Sequence, residues 1–467
     1  MRSVLREYNY DWRLWSIVHN ASKICDGSDK EYREAIAFAP NFKETMDTLI
    51  SMGEPGVLTL KAVADILKDI LTARERGKKV ALVTYNLSPA ILHAFDVVPI
   101  CLEGLSGLFA IVWQKGIAEC LDYCCEVGFT ETSCSGQRVA LGPLLAGVGV
   151  QPDFILCSTP GLCDSNANSF SFASAYLDLP FCQLNYPPTL TDERSSEYHR
   201  EDFRQLIAFL EEQTRKKLDP DRLKDICEEM IKQDELVNEL QELQRLVPNP
   251  EPGLYNLLIY ASKILFIGAK EGTEILESML KIAKENAVKG IVGNNSGQER
   301  ARGAFFYVDH FSIELKWWTW LSRNGISHVG TMVDDFWQAE APYAKGREEE
   351  GYVIDTTNMD TMIDSLAAQT SRTPMVKQLR GPYDAPHMWL DDTIGLAKTM
   401  NADFLVYLGT MGCRNSWGIV KLLARDTEKL GWPTLILYGD AFDNRVESID
   451  SLIGKVDEFL TVRRICK

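Results

Sequence analysis

The chain has 467 residues, 45% of them hydrophobic, so it can bury large cores, and its length predicts roughly two to four domains. A formal charge of −17, from 49 basic against 66 acidic residues, argues against nucleic acid or an anionic membrane as partner, since both select clustered Lys and Arg. No run reaches the roughly 18 uninterrupted apolar residues of a membrane span, and MRSVLREYNYDWRLW lacks the apolar core of a secretory signal, so a cytoplasmic protein is expected.

Taken in chain order, residues 1–75 read as a helical N-terminal segment, from the amphipathic spacing of PNFKETMDTLISM and LKAVADILKDILTARERGKK. Residues 76–190 follow as a first α/β domain. There KKVALVTYN, VPICLE, DFILCST and PFCQLNY read as strands, with SPAILHAFD and a long helix from Leu105 to about Gly128 between them. Residues 191–300 form a helical connecting region, interrupted at the Pro-rich PNPEPG. Residues 301–467 repeat the strand-helix alternation in RGAFFYVDHF, GISHVGTMVD, ADFLVYLGT and PTLILYGDAF. The expected fold is therefore α/β, with two Rossmann-like parallel-sheet domains and helical N-terminal and connecting segments.

Twelve cysteines in a chain of this class are packing residues, metal ligands or nucleophiles rather than disulfides. Cys25, Cys101, Cys182, Cys227 and Cys466 lie in apolar or helical contexts and read as packing. Cys134, Cys163 and Cys413 differ, because each stands at the mouth of a polar or Gly-rich turn. The last two follow one design, Asp, an apolar strand, then a loop ending in Cys. Ligand sites of open parallel sheets collect at such strand ends, and helix N-termini there favour thiolate over thiol. A three-thiolate iron-sulfur site is the reading, with Arg414, Asn415 and Ser416 supplying hydrogen bonds to sulfur. A chance scatter of buried cysteines and a single nucleophilic Cys are the weaker alternatives. No close C-x-x-C pair suggests zinc or a thioredoxin site, and no phosphate loop or dinucleotide fingerprint occurs.

The runs SCSGQR, PDFILCSTPGLCDSNANSF, LPFCQLNYP, RGAFFYVDHFSIELKWWTWLSRNGISHVG and ADFLVYLGTMGCRNSWGIVKLLARDTEKLGWPTLILYGDAFDNR together resemble the 2-hydroxyacyl-CoA dehydratase / benzoyl-CoA reductase family. The likeness spans roughly residues 76–465 and is sharpest at the three cysteines and at the closing Gly439, Asp440, Asp443 and Arg445. It implies a 4Fe-4S cluster held by Cys134, Cys163 and Cys413, leaving one iron without a protein ligand. It also implies a homologous second subunit in a heterodimer, an ATP-hydrolysing iron-sulfur activator as electron source, and an acyl-CoA substrate. In the dehydratases of that family, one-electron reduction of the thioester lets a 2-hydroxyacyl-CoA expel hydroxide; the sister reductases reduce aromatic acyl-CoA.

Glu103, after the second strand, matches an acidic residue that family members place near the cluster, and is the candidate catalytic base or substrate ligand. Two departures count against a catalytic subunit. Ala90 or Ile91 stands where Glu is common, and Thr84, Tyr85 and Ser88 do not clearly match the family's small hydroxyl. An electron-relay or structural subunit therefore stays open. Cys124, Cys125 and Cys157 are spectators, or else part of a larger double-cubane cluster, as in reductases related to this family. Trp317, Trp318 and Trp320 read as core, with an acyl pocket or a partner surface as the alternative.

Overall fold

A computed structural model describes residues 2–23, 42–113, 116–158, 163–185, 193–306, 315–331, 353–371, 387–410, 412–413, 417–440 and 442–466. Two four-stranded sheets, each entirely parallel, organise the chain. The first comprises β1 (Val80–Val83), β2 (Val98–Cys101), β3 (Phe154–Ser158) and β4 (Phe181–Leu184), in the order β2-β1-β3-β4. The second comprises β5 (Ala301–Phe306), β6 (Ile326–His328), β7 (Phe404–Thr410) and β8 (Thr434–Gly439), in the order β6-β5-β7-β8. The two sheets thus share one winding. β1, β3 and β7 are buried at every position, which is why they read as continuous apolar runs rather than alternating ones.

Helices α1 (Arg2–Leu5), α2 (Trp12–Ser22), α3 (Phe42–Ser51) and α4 (Glu54–Thr72) precede the first sheet. α5 (Ala90–Ala94), α6 (Leu102–Val112), α7 (Ile117–Glu126), α8 (Ser135–Leu145) and α9 (Asp164–Leu177) are set among its strands. α10 (Glu193–Thr214), α11 (Pro220–Gln244), α12 (Tyr255–Leu265) and α13 (Lys270–Lys289) connect the sheets. α14 (Lys316–Arg323), α15 (Met359–Ser371), α16 (Met388–Thr399), α17 (Val420–Lys429) and α18 (Ile449–Arg463) accompany the second. One apolar cluster runs from Leu14 and Leu67 through Phe109 and Phe305 to Leu452, so a core is shared by both halves.

The single helix expected from Leu105 to Gly128 is two, α6 and α7. The N-terminal segment packs at this junction: a Cβ on Gly116 would fall 2.2 Å from Cγ of Tyr8, and the Trp113 indole donates to the Asn9 carbonyl at 3.3 Å. Trp317 and Trp318 are buried against Phe305 and His328, as a core reading requires.

Candidate functional site

Each sheet reverses its strand order at the first of its strands, between β1 and β3 and between β5 and β7. Crevices open outside the carboxyl ends of such pairs, and the three singled-out cysteines sit there. Cys163 precedes the first residue of α9, Cys134 precedes that of α8, and Cys413 lies three residues beyond β7, its N–H donating to the Thr410 carbonyl at 2.9 Å. The loops of the two halves touch directly. A Cβ on Gly412 would stand 2.5 Å from Cα and 2.7 Å from N of Cys134, so only glycine permits this approach.

The two helix starts are stitched together by side chains. The Ser165 hydroxyl, in the first turn of α9, accepts from the Cys134 backbone N–H at 3.0 Å, pairs with the Ser133 hydroxyl at 2.6 Å and donates to Gln137 Oε1 at 2.8 Å. Gln137 passes the link on, its amide donating to Glu103 Oε1 at 3.2 Å. The Tyr85 N–H, just past β1, donates to Glu103 Oε2 at 3.1 Å. Glu103 is 3% exposed in the first turn of α6, and burial pushes its carboxyl up to about 7 although these donors oppose the shift. Around it, Asn86 Oδ1 and Ser88 Oγ are buried with no hydrogen-bond partner among the described residues, and the buried Asn166 amide lies beside the Glu103 carboxyl, where it favours the charged form. Buried polar atoms left open beside a crevice are ready to meet a ligand.

The electrostatics fit a cationic guest. Burial raises the Cys134 and Cys163 thiols above the ordinary range. Next in effect come acidic neighbours, Cys413, Asp440 and Cys163 for Cys134, and Cys413, Glu103 and Asp164 for Cys163. The three thiols are therefore within electrostatic reach of one another. Acidic groups gathered in one buried place keep their protons unless a metal displaces them. The N–H of Gly136 points at the Cys134 sulfur and that of Asn166 at the Cys163 sulfur, each favouring thiolate. Among the described residues, no three His, Cys, Asp or Glu side chains are close enough to bind one metal ion.

The other cysteines lie elsewhere. Cys120, Cys124 and Cys157 are in the hydrophobic core, and Cys124 donates to the Arg138 carbonyl at 3.2 Å. Cys125 is exposed on α7. Cys101 and Cys227 are buried, and Cys182 and Cys466 are half-buried against apolar neighbours. Cys25, Arg414, Asn415 and Ser416 lie outside the described residues. Ala90 and Ile91 are buried at the start of α5. Sequence reasoning passed over Gln137, Ser165, Asn166 and Gly412. Their signal was position, within three residues of a singled-out cysteine.

The closing motif of the second half proves to be a strap across to the first. Asp440, just past β8, accepts from the Ser135 hydroxyl and from the N–H groups of Phe442 at 3.0 Å and Asp443 at 2.9 Å. Asp443 takes Arg445 in a two-pronged pair at 2.8 and 2.9 Å, and Arg445 reaches Asp122 on α7 at 3.1 Å. Among curated proteins no match is found. The family model for the 2-hydroxyglutaryl-CoA dehydratase D-component, however, matches residues 84–460, a span that takes in every strand of the two sheets but β1, the three cysteines and the strap. The chain belongs to the 2-hydroxyglutaryl-CoA dehydratase D-component family.

Proposed function

We propose that this chain is the iron-sulfur subunit of a 2-hydroxyacyl-CoA dehydratase-type enzyme, working beside a homologous subunit and receiving electrons from an ATP-hydrolysing activator. The observation that carries the reading is the meeting of Cys134, Cys163 and Cys413, from both halves of the chain, beside the buried Glu103. Three thiols that do not close around one ion suit a 4Fe-4S cluster, in which each thiolate binds its own iron. Such a cluster supplies one-electron chemistry and one iron left open to substrate.

The protein's own residues then have separate tasks. Cys134, Cys163 and Cys413 hold the cluster, and the Gly136 and Asn166 N–H groups stabilise two of the sulfurs. Asn86, Ser88 and Asn166 offer buried polar atoms to the thioester. Glu103, held by Gln137 and the Tyr85 N–H, carries a proton near neutral pH and delivers it from its carboxyl to the departing hydroxyl oxygen. The carboxylate so formed takes up the proton from C3, so the C2 hydroxyl and a C3 hydrogen are lost overall as water, a carbon-carbon double bond remains and Glu103 regains its proton. The buried Glu103 and the cavity it borders support a substrate-binding subunit over a pure relay.

Anaerobic purification with iron and sulfide analysis tests the reading. About four irons per chain are expected, and replacing Cys134, Cys163 or Cys413 with Ala should abolish them. A value of about eight would favour the double-cubane alternative. No iron after reconstitution would sink the cluster altogether. Glu103→Gln should keep the iron and lose dehydration; retained dehydration would return the chain to the relay role.

A further inference from the structure

A cavity of about 310 Å³ runs along the free edge of β2. Val98 and Ile100 of β2 form one wall, and Ile66 of α4 and Leu257 and Ile264 of α12 face them. One end reaches Glu103 and Phe442. Phe442 in turn packs beside Cys134, since a Cβ on Gly136 would touch its ring at 3.3 Å and the Cys134 sulfur at 3.4 Å. The cavity therefore ends one side chain away from the thiol site. Its other end is bordered by His93 and by an ion cluster in which Asp96 pairs with Arg222 at 2.7 Å and Lys78 at 3.7 Å. Four strand residues separate the two ends, a length of about 13 Å.

We infer that this cavity holds the acyl chain of the substrate, and that the chain is apolar and carries no terminal charge. The inference rests on the acyl-CoA reading and names its substrate class. The lining is dominated by Val, Ile and Leu, with Thr45, Thr59 and Tyr260 among its few uncharged polar members, so it favours hydrocarbon by the ordinary burial of apolar surface. A terminal carboxylate, as in a glutaryl group, would be buried among these side chains without a cation, because its five carbons are shorter than the wall and stop short of the cluster in which Lys78, Lys216 and Arg222 share Asp96. The amide-bearing pantetheine arm would likewise leave most of its hydrogen bonds unmade along such a wall. His93 agrees with an uncharged guest. Its Nε2 is buried without a partner among the described residues, and burial lowers its pKa to about 4, so the ring is neutral.

Gly107 makes the wall adjustable. A Cβ there meets only Phe442, at 3.7 Å, so a larger side chain fits the helix and projects into the space the guest would use. The test is calorimetric titration of the anaerobically purified protein with acetyl-CoA, hexanoyl-CoA and glutaryl-CoA, which lack the hydroxyl that leaves and so do not react. Hexanoyl-CoA should bind at least about tenfold tighter than acetyl-CoA, and glutaryl-CoA no tighter than acetyl-CoA. Gly107→Leu, or Leu257→Trp as a second filling of the same space, should bring the hexanoyl-to-acetyl ratio to within about twofold of one. Equal binding of hexanoyl-CoA and glutaryl-CoA, or a ratio untouched by either variant, overturns the acyl assignment while leaving the acyl-CoA reading standing. Failure of all three thioesters to bind overturns both.

Discussion

Gly412 of the second half rests directly on the backbone of Cys134 in the first. The loop that carries Cys413 is thereby positioned by contact with another cysteine's main chain, not by a flexible side chain. Gly412→Ala would place a methyl 2.5 Å from Cα of Cys134, and neither backbone can turn away as a side chain can. Thermal unfolding should show a loss of about 1–3 kcal/mol, the usual cost of overpacking, together with reduced iron after reconstitution. An unchanged melting temperature with full iron would show that the two loops are free to separate.

Asp440 anchors the strap by accepting from Ser135 and from two backbone N–H groups. Asp440→Ala leaves those donors buried without an acceptor. We expect a loss of about 1–3 kcal/mol in urea unfolding, whereas Arg445→Lys, at a half-exposed site, should cost about 1 kcal/mol or less. The opposite ranking would mean that the Arg445 fork, and not the Asp440 turn, holds the halves together.

Arg302 and Glu299 form an ion pair whose side chains are 5% and 6% exposed. Every face of the guanidinium is used: Nη1 reaches Glu299 at 2.9 Å and the Leu246 carbonyl at 2.9 Å, Nη2 the Gln244 carbonyl at 2.7 Å, and Nε the Met400 carbonyl at 2.9 Å. This residue ties the end of α11 to the second sheet. Removing the charge of its partner with Glu299→Gln strands a buried cation and should cost about 3–5 kcal/mol, read as a lower urea midpoint. A midpoint equal to that of the parent would show the charge to be dispensable.

Glu251 is buried, with the Gln244 amide beside its carboxylate. Burial pushes its carboxyl up to about 8, against an ordinary 4.5, with the nearby Gln244 amide opposing. The folded state holds this proton more tightly than the unfolded chain does. The resulting stability is complete below pH 4.5 and is lost as pH rises through about 8, a loss of a few kcal/mol. Glu251→Gln removes the titration. The variant should gain in melting temperature relative to the parent between pH 5 and 8.5, and a difference constant with pH would refute the assignment.

Much of the architecture was legible because parallel strands buried on both faces leave uninterrupted apolar runs, as in FILCS and FLVYLGT, with loops and caps directly after them. Cys163 and Cys413 could be placed at strand ends for that reason. Other parts depend on which segments meet in space. The junction of α6 and α7 is where Tyr8, more than a hundred residues away, packs against Gly116. The Ser165–Gln137–Glu103 chain joins three helices whose proximity no local pattern encodes. Gly412 looked like one more loop glycine, since its importance lies in the atom that would strike it.

Cys134 and Cys163 are 29 positions apart, while Cys413 follows 250 positions later. During synthesis the first sheet, with two of the thiols, is complete long before β7 leaves the ribosome. The third thiol reaches them only when the second sheet has folded and its loop has come to rest on Cys134. A site that needs all three thiols is therefore assembled last, and a chain stopped before β7 would be without its third cysteine.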